Sequence, residues 1–244
     1  MSDWSELRRL TAARIGLERA GASLATRPLL DFRLAHARAR DAVHAELDTG
    51  SLLACLPERA ILVDSQAPDR RTYLMRPDLG RALDPASGAR LAADAVACDL
   101  AIVLADGLSA VAVPRHGPPT LAALLPRLSR WRRAPLVVAR HARVALGDRV
   151  AEALGAACVL MLIGERPGLS APDSLGAYLT WAPAAGTTDA DRNCVSNIRP
   201  EGLGHEEAAF RLAFLLERMR ELRRSGVALK DESEAALLTG DGGS

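Results

Sequence analysis

The pattern of apolar and polar positions divides the chain into a helical first part and a second part in which strands and helices alternate. Over residues 5–47, apolar residues recur at helical spacing on either side of a break at residues 21–28, which predicts two arginine-rich helices. The following stretch carries only short apolar runs, at residues 52–63 and 72–74, and its elements are the least defined by the pattern.

After Pro85, runs of consecutive aliphatic residues alternate with amphipathic segments. The runs at residues 100–105, 136–139 and 158–163 have the length of buried strands. The helical segments are at residues 87–97, on the face formed by Leu121, Leu124, Leu125, Leu128 and Trp131, at residues 148–154 and at residues 206–223. This alternation predicts an α/β fold with a mostly parallel sheet flanked by helices, in a Rossmann-like arrangement.

The same pattern predicts three regions. Residues 1–84 form an N-terminal helical and irregular region, residues 85–234 form the α/β domain, and residues 235–244 form a disordered tail that is polar and rich in glycine. Exposed arginines on the predicted N-terminal helices suggest that the first region contacts a partner.

Composition narrows the class of protein. The chain has 244 residues, 49% of them hydrophobic, which is enough for a packed core. Its 31 basic and 30 acidic residues nearly cancel, so no overall charge attracts it to nucleic acid or to an anionic membrane. No apolar run approaches the roughly 20 residues of a membrane helix, and the first residues do not resemble a signal peptide.

The four cysteines are far apart in sequence and include no CxxC pair, which indicates reduced thiols in a soluble, cytoplasmic protein. Familiar enzyme motifs are also missing. The chain has no GxGxxG or GxxxxGK[ST] phosphate loop, no HExxH pair and no nucleophile elbow. Its one lysine, Lys230, lies near the end of the chain and is a poor candidate for a Schiff base.

Candidate site residues follow the predicted strands, because ligands of open α/β sheets bind beyond the carboxyl ends of the strands. Three polar loops, residues 106–109, 140–144 and 164–168, share that edge, and a fourth segment at residues 191–197 is expected to reach it. On loop geometry alone, the second-tier candidates are Asp106, Ser109, Arg166, Asn193 and Asn197.

Other residues have two interpretations each. Glu165 is either a ligand acceptor or the partner of Arg166 in a local ion pair, and Cys194 is either a nucleophile or a small buried thiol. Val144 is consistent with ordinary packing. His36, Arg40 and His44 lie at helical spacing and could bind phosphate or a metal, but two histidines without a third ligand favour a solvated or interface surface.

Seven segments of the chain together carry a family resemblance. In order they are ARIGLERAG, LLDFRLAHARARDAVH, TYLMRPDLGRALD, ADGLSA, IGERPG, SLGAYLTWAP and DRNCVSNI. They resemble the successive signature segments of the ethanolamine ammonia-lyase light chain, from about Ala13 to Gly202.

The resemblance implies a heteromeric lyase that converts ethanolamine to acetaldehyde and ammonia with adenosylcobalamin as cofactor. In that family, the heavy chain is a (β/α)8 barrel that carries the substrate site, and the cofactor lies between the two chains. The α/β domain is then a cobalamin-binding domain, and the light chain is expected to contribute no catalytic residue. The radical chemistry belongs to the cofactor.

Three cofactor-binding residues are implied for this sequence. Val144 would pack on the corrin or its lower base, Glu165 would accept hydrogen bonds from the amide or nucleotide portion, and Cys194 would contact the same edge. Because the chain has no DxHxxG, it resembles members in which cobalt keeps its own dimethylbenzimidazole ligand, so no protein metal ligand is expected.

Two alternatives remain open at this stage. One is a stand-alone amide hydrolase with Cys194 as nucleophile and Glu165 as base, and the other is a purely structural subunit that does not touch the cofactor. Some relatives carry an amino-terminal extension linked to packaging, whereas this sequence begins almost directly at the shared core. We therefore expect a cytoplasmic protein, with a bacterial microcompartment as the alternative location.

Overall fold

The first part of the chain consists of short helices and a small hairpin. The computed structural model describes residues 4–11 and 13–235. In order the elements are α1 (Trp4–Leu10), β1 (Arg19–Ala20), β2 (Ser23–Leu24), α2 (Thr26–His44) and α3 (Thr49–Cys55). The second predicted helix is confirmed as α2, whereas the first is confirmed only in part, because α1 ends at Leu10 and residues 13–18 are not helical. A hairpin of β1 and β2 lies at the start of the predicted break and turns at Gly21 with a φ of 63°, a value that glycine adopts easily.

The remaining elements build the layered part of the fold. They are β3 (Ala60–Asp64), α4 (Arg70–Met75), α5 (Pro85–Ala93), β4 (Cys98–Ala105), α6 (Ala112–Leu124), β5 (Leu136–Arg140), α7 (Leu146–Leu154), β6 (Ala156–Gly164), β7 (Leu175–Trp181), β8 (Arg192–Ile198) and α8 (His205–Leu222). The three predicted strands are confirmed as β4, β5 and β6. Apart from Ala235, the predicted tail lies outside the described residues.

A six-stranded sheet in the order β3-β5-β4-β6-β7-β8 forms the centre of the fold. The strands β3, β5, β4 and β6 are parallel, whereas β7 and β8 are antiparallel to their neighbours. The predicted α/β class is confirmed, but the sheet is mixed. The connection from β6 to β7 has no helix to carry the chain back across the sheet, and strands joined by short loops pair antiparallel.

Both faces of the sheet are covered, which explains the uninterrupted aliphatic runs in the sequence. Along β4, Ile102 and Leu104 face a core formed with α6 and α8, while Val103 and Ala105 face a core formed with α5 and α7. Each of these four side chains is fully buried.

Residues 60–64 of the predicted N-terminal region form β3, an edge strand of the same sheet. The predicted boundary at residue 84 therefore does not coincide with the edge of the sheet. It stays a prediction that the two regions have different functions. None of the helices in residues 4–11 and 13–235 is long and apolar enough to cross a membrane.

Candidate functional site

A cavity of about 440 Å³ opens at the carboxyl ends of β4, β5 and β6. Its lining residues are Tyr73, Gly107, Leu108, Arg143, Val144, Ile163, Gly164, Glu165, Arg166 and Tyr178. All three polar loops predicted to share this edge contribute to it. The chain runs from β4 through α6 to β5 and then through α7 back to β6, so the strand order reverses at β4, the point where open α/β sheets leave a crevice.

Two glycines allow the loops after β4 and β6 to lie directly against each other. Gly107 has a φ of 54°, and a Cβ atom there would overlap the carbonyl oxygen of Gly164. A Cβ atom on Gly164 would in turn overlap the carbonyl oxygen of Ser109. A hydrogen bond also joins the two loops, because the Leu108 N–H donates to the Gly164 carbonyl at 2.9 Å.

Asp106 ties the loop after β4 to the loop after β5. Its carboxylate accepts the backbone N–H groups of His141 at 2.9 Å and Ala142 at 3.0 Å, and the Arg70 guanidinium at 3.3 Å. Burial raises the pKa of Asp106, while these hydrogen bonds and the positive charge of Arg70 act in the opposite direction. The second-tier candidate Asp106 is therefore buried and does not line the cavity, but it holds the loop after β5, which does.

Arg70 connects the cavity to the N-terminal region. Besides its contact with Asp106, it donates to the carbonyl of Gly107 at 2.7 Å and, through Nε, to the carbonyl of Val43 at 2.8 Å. Val43 lies in the last turn of α2. The end of that helix is consequently fixed to the residues that form the cavity.

Val144 and Glu165, two of the three residues singled out from the sequence, both line the cavity. Val144 is half-buried and packs on the core formed with α5 and α7. Glu165 accepts the backbone N–H of Asn197 at 3.1 Å. Among the ion pairs of the described residues there is none between Glu165 and Arg166, so the local-pair interpretation is not supported.

Cys194, the third residue, lies beside the cavity on the edge strand β8. It is paired across the sheet with Tyr178, which does line the cavity. Desolvation of the thiol raises the pKa of Cys194, and the nearby Glu165 carboxylate acts in the same direction. A cysteine nucleophile needs a lowered pKa, so the structure counts against the hydrolase alternative.

Two second-tier candidates serve other purposes. The Ser109 hydroxyl donates to the carbonyl of Pro172 at 2.8 Å, and the Asn193 amide donates to the carbonyl of Leu229 at 2.7 Å. Three other lining residues, Tyr73, Arg143 and Tyr178, are not among the candidates singled out from the sequence, although Arg143 lies within the predicted loop at residues 140–144. Their positions depend on contacts between residues that are distant along the chain. Within the described residues, no group of three or more His, Cys, Asp or Glu side chains could hold a metal ion.

Comparison with known proteins identifies the family. The model of the family described as "Ethanolamine ammonia-lyase light chain (EutC)" matches residues 1–230. The ethanolamine ammonia-lyase small subunit of Azotobacter vinelandii is 53% identical, over 98% of this chain and 92% of that protein. The chain belongs to the ethanolamine ammonia-lyase light chain family. The small subunit of Bradyrhizobium diazoefficiens is 57% identical over 93% of this light chain and 90% of its own length, and that of Ralstonia nicotianae is 52% identical over 96% and 90%.

The family resemblance inferred from the seven sequence segments is thereby confirmed. As a member of this family, the light chain is a subunit of ethanolamine ammonia-lyase, a lyase.

Proposed function

We propose that the cavity holds one side of adenosylcobalamin, and that the heavy chain, which carries the substrate site, covers the rest of the cofactor. In this proposal the α/β domain, residues 85–234, is a Rossmann-like cobalamin-binding domain. The proposal rests on one observation. Val144 and Glu165 both line a single cavity, and this cavity lies where the strand order of the sheet reverses.

The size of the cavity supports a shared site. Pockets that enclose most of a drug-sized ligand have volumes of roughly 300–1,000 Å³. The cavity, at about 440 Å³, is at the low end of that range, whereas a corrin ring with its nucleotide loop is much larger than a drug. The light chain can therefore cover only part of such a cofactor.

The lining also fits the cofactor chemically. The apolar side chains of Val144 and Ile163 offer a surface for the corrin or its lower base. The Glu165 carboxylate can accept hydrogen bonds from the N–H groups of the cofactor amides. Cys194 lies next to the cavity, because it is paired across the sheet with the lining residue Tyr178. No protein ligand to cobalt is proposed.

Bound adenosylcobalamin would supply the radical that abstracts hydrogen from ethanolamine. The part of the light chain is to hold the cofactor against the heavy chain and to keep water away from it. None of its residues is assigned a catalytic role. All four cysteines are free thiols, which supports a cytoplasmic location for the enzyme, with a bacterial microcompartment as the alternative.

We expect Glu165→Ala to weaken cofactor binding by roughly 10- to 100-fold, because a hydrogen bond to a charged group is worth ~1.5–3 kcal/mol. Binding should be measured by equilibrium dialysis on the complex of this chain with the heavy chain from the same genome. Glu221→Ala on the exposed surface of α8 is the matched control and should leave the affinity unchanged. Unchanged affinity in Glu165→Ala would favour the structural-subunit alternative.

We also propose that the N-terminal region, residues 1–84, contacts the heavy chain through α2. Only Ala42 is buried along the 19 residues of this helix. Leu30 and Leu34, one helical turn apart, are 57% and 51% exposed. Arg70 fixes Val43, in the last turn of α2, beside the cavity. Leu34 and Leu30 lie about 14 Å and 20 Å further along the helix, a distance that a large partner covering the cofactor can span.

The double substitution Leu30→Ser and Leu34→Ser should weaken the complex with the heavy chain by about tenfold or more, since burying a leucine side chain is worth ~1.5–3 kcal/mol. The measurement is the dissociation constant of the two chains by analytical ultracentrifugation. Val227→Ser is the matched control, because Val227 is also apolar and is 84% exposed but lies far along the chain from α2. Equal affinities for the double variant and the wild type would contradict the assignment.

A further inference from the structure

Arg143 lies in the cavity wall without a carboxylate partner among the described residues. Its position is fixed. The backbone N–H donates to the carbonyl of Gly80 at 2.8 Å, and the guanidinium carbon lies 4.4 Å from the centre of the Tyr73 ring. Nη2 has a long contact of 3.4 Å with the carbonyl of Tyr73, while Nε is buried and has no hydrogen-bond partner.

Two other arginines near the carboxyl edge of the sheet have acidic partners, whereas Arg166, which also lines the cavity, has none among the described residues. Arg70 pairs with Asp106, and Arg140 pairs with Asp64 at 2.6 Å. Buried or partly buried donors are normally paired, because the loss of water must be compensated. Arg143 therefore lies in the wall of an open cavity and has N–H donors without a protein partner among the described residues.

We infer that Arg143 binds an anionic group of the ligand, and that this group is the phosphodiester in the nucleotide loop of adenosylcobalamin. The inference rests on the function proposed above. A guanidinium presents a planar set of N–H donors that matches two phosphate oxygens, and stacking on an aromatic ring keeps that plane oriented. The corrin ring carries neutral amide side chains, so the phosphodiester is the anion of the cofactor to which an unpaired arginine is suited.

The neighbouring residues agree with this assignment. Val144, the next residue, is proposed to pack on the corrin or its lower base, and the nucleotide loop joins that base to the ring through the phosphate. Glu165, also in the cavity, would accept amide N–H groups. The Glu165 carboxylate would thus accept hydrogen bonds from the amides of the ligand, and the Arg143 guanidinium would donate to its phosphodiester.

The test compares two corrinoids on the complex of the light and heavy chains. Cyanocobalamin has the nucleotide loop with its phosphodiester, and dicyanocobinamide lacks the loop. We expect Arg143→Met to weaken cyanocobalamin binding by roughly 10- to 100-fold, the range for a charge-assisted hydrogen bond, and to leave cobinamide binding unchanged. The absorbance of the bound corrinoid after equilibrium dialysis is the readout, and no turnover is needed.

Two further variants complete the design. Arg143→Lys keeps the charge without the planar fork, so an intermediate loss for cyanocobalamin is expected, and this variant also serves if Arg143→Met does not fold. Arg149→Met, on the exposed surface of α7, is the control and should bind both corrinoids like the wild type. Equal weakening of both corrinoids, or no weakening, would overturn the assignment of Arg143 alone. A wild-type complex that binds neither corrinoid would overturn the proposed function itself.

Discussion

Replacing Asp148 with alanine should lower the free energy of unfolding by about 3–5 kcal/mol, because it leaves a buried guanidinium without its carboxylate. Arg192, whose side chain is 3% exposed, donates through both Nη atoms to the two oxygens of Asp148, each at 2.7 Å. Its Nη1 also donates to the hydroxyl of Thr180 at 2.8 Å. The pair connects α7 to the edge strand β8, which carries Cys194.

The same helix provides the matched control. Glu152 pairs with Arg149 at 3.0 Å, but their side chains are 63% and 42% exposed, so Glu152→Ala should cost only about 0–1 kcal/mol. Urea unfolding followed by circular dichroism measures both values. Removing both charges, as Asp148→Leu with Arg192→Met, should cost less than Asp148→Ala, because no uncompensated charge remains. A loss in Asp148→Ala no larger than in Glu152→Ala would contradict the expectation.

The central strands and the site edge could be predicted because their signals are local. Strands buried on both faces need consecutive aliphatic residues, and residues 100–105, 136–139 and 158–163 have them. Once these strands are parallel, their following loops must meet at one edge. This reasoning alone predicts that Glu165 lies at that edge, and in the structure it lines the cavity there.

The edge strands could not be predicted in the same way. In β8, the segment Arg192–Ile198, the buried positions are Arg192, Val195 and Ile198, and the others are wholly or partly exposed, so its sequence looks like a polar loop. Arg192 can be buried only because Asp148, 44 residues away along the chain, neutralises it. No sequence pattern indicates such a pair.

Similar reasons apply to α6 and to Arg143. The helix Ala112–Leu124 contains Pro118 and Pro119, which lack the N–H of a helical hydrogen bond, so the pattern indicated a helix only from Leu121 onward. It then ends earlier than predicted, in a 3-10 turn over Leu125–Leu128. Arg143 is one of many arginines in the sequence, and only the three-dimensional structure shows that it lines a cavity and has no acidic partner among the described residues.

Gly107→Ala should destabilise the protein by roughly 2–5 kcal/mol, because two costs add. A left-handed backbone costs an alanine ~1–2 kcal/mol, and forcing a methyl group into a filled space costs a further ~1–3 kcal/mol. The φ of Gly107 is 54°, and its Cβ atom would overlap the carbonyl oxygen of Gly164. The loops after β4 and β6 would have to separate, which changes the shape of the cavity, so cofactor affinity should fall together with stability.

Gly155→Ala separates the two costs. Gly155 ends α7 with a φ of 68°, but nothing lies within 4 Å of the position of its Cβ atom. Alanine there should pay only the backbone cost, about 1–2 kcal/mol, and leave cofactor affinity unchanged. If thermal melting shows equal losses for Gly107→Ala and Gly155→Ala, the contact between the two loops contributes nothing. A larger loss at Gly107, accompanied by weaker cofactor binding, would mean that the cavity depends on a backbone approach that only two glycines permit.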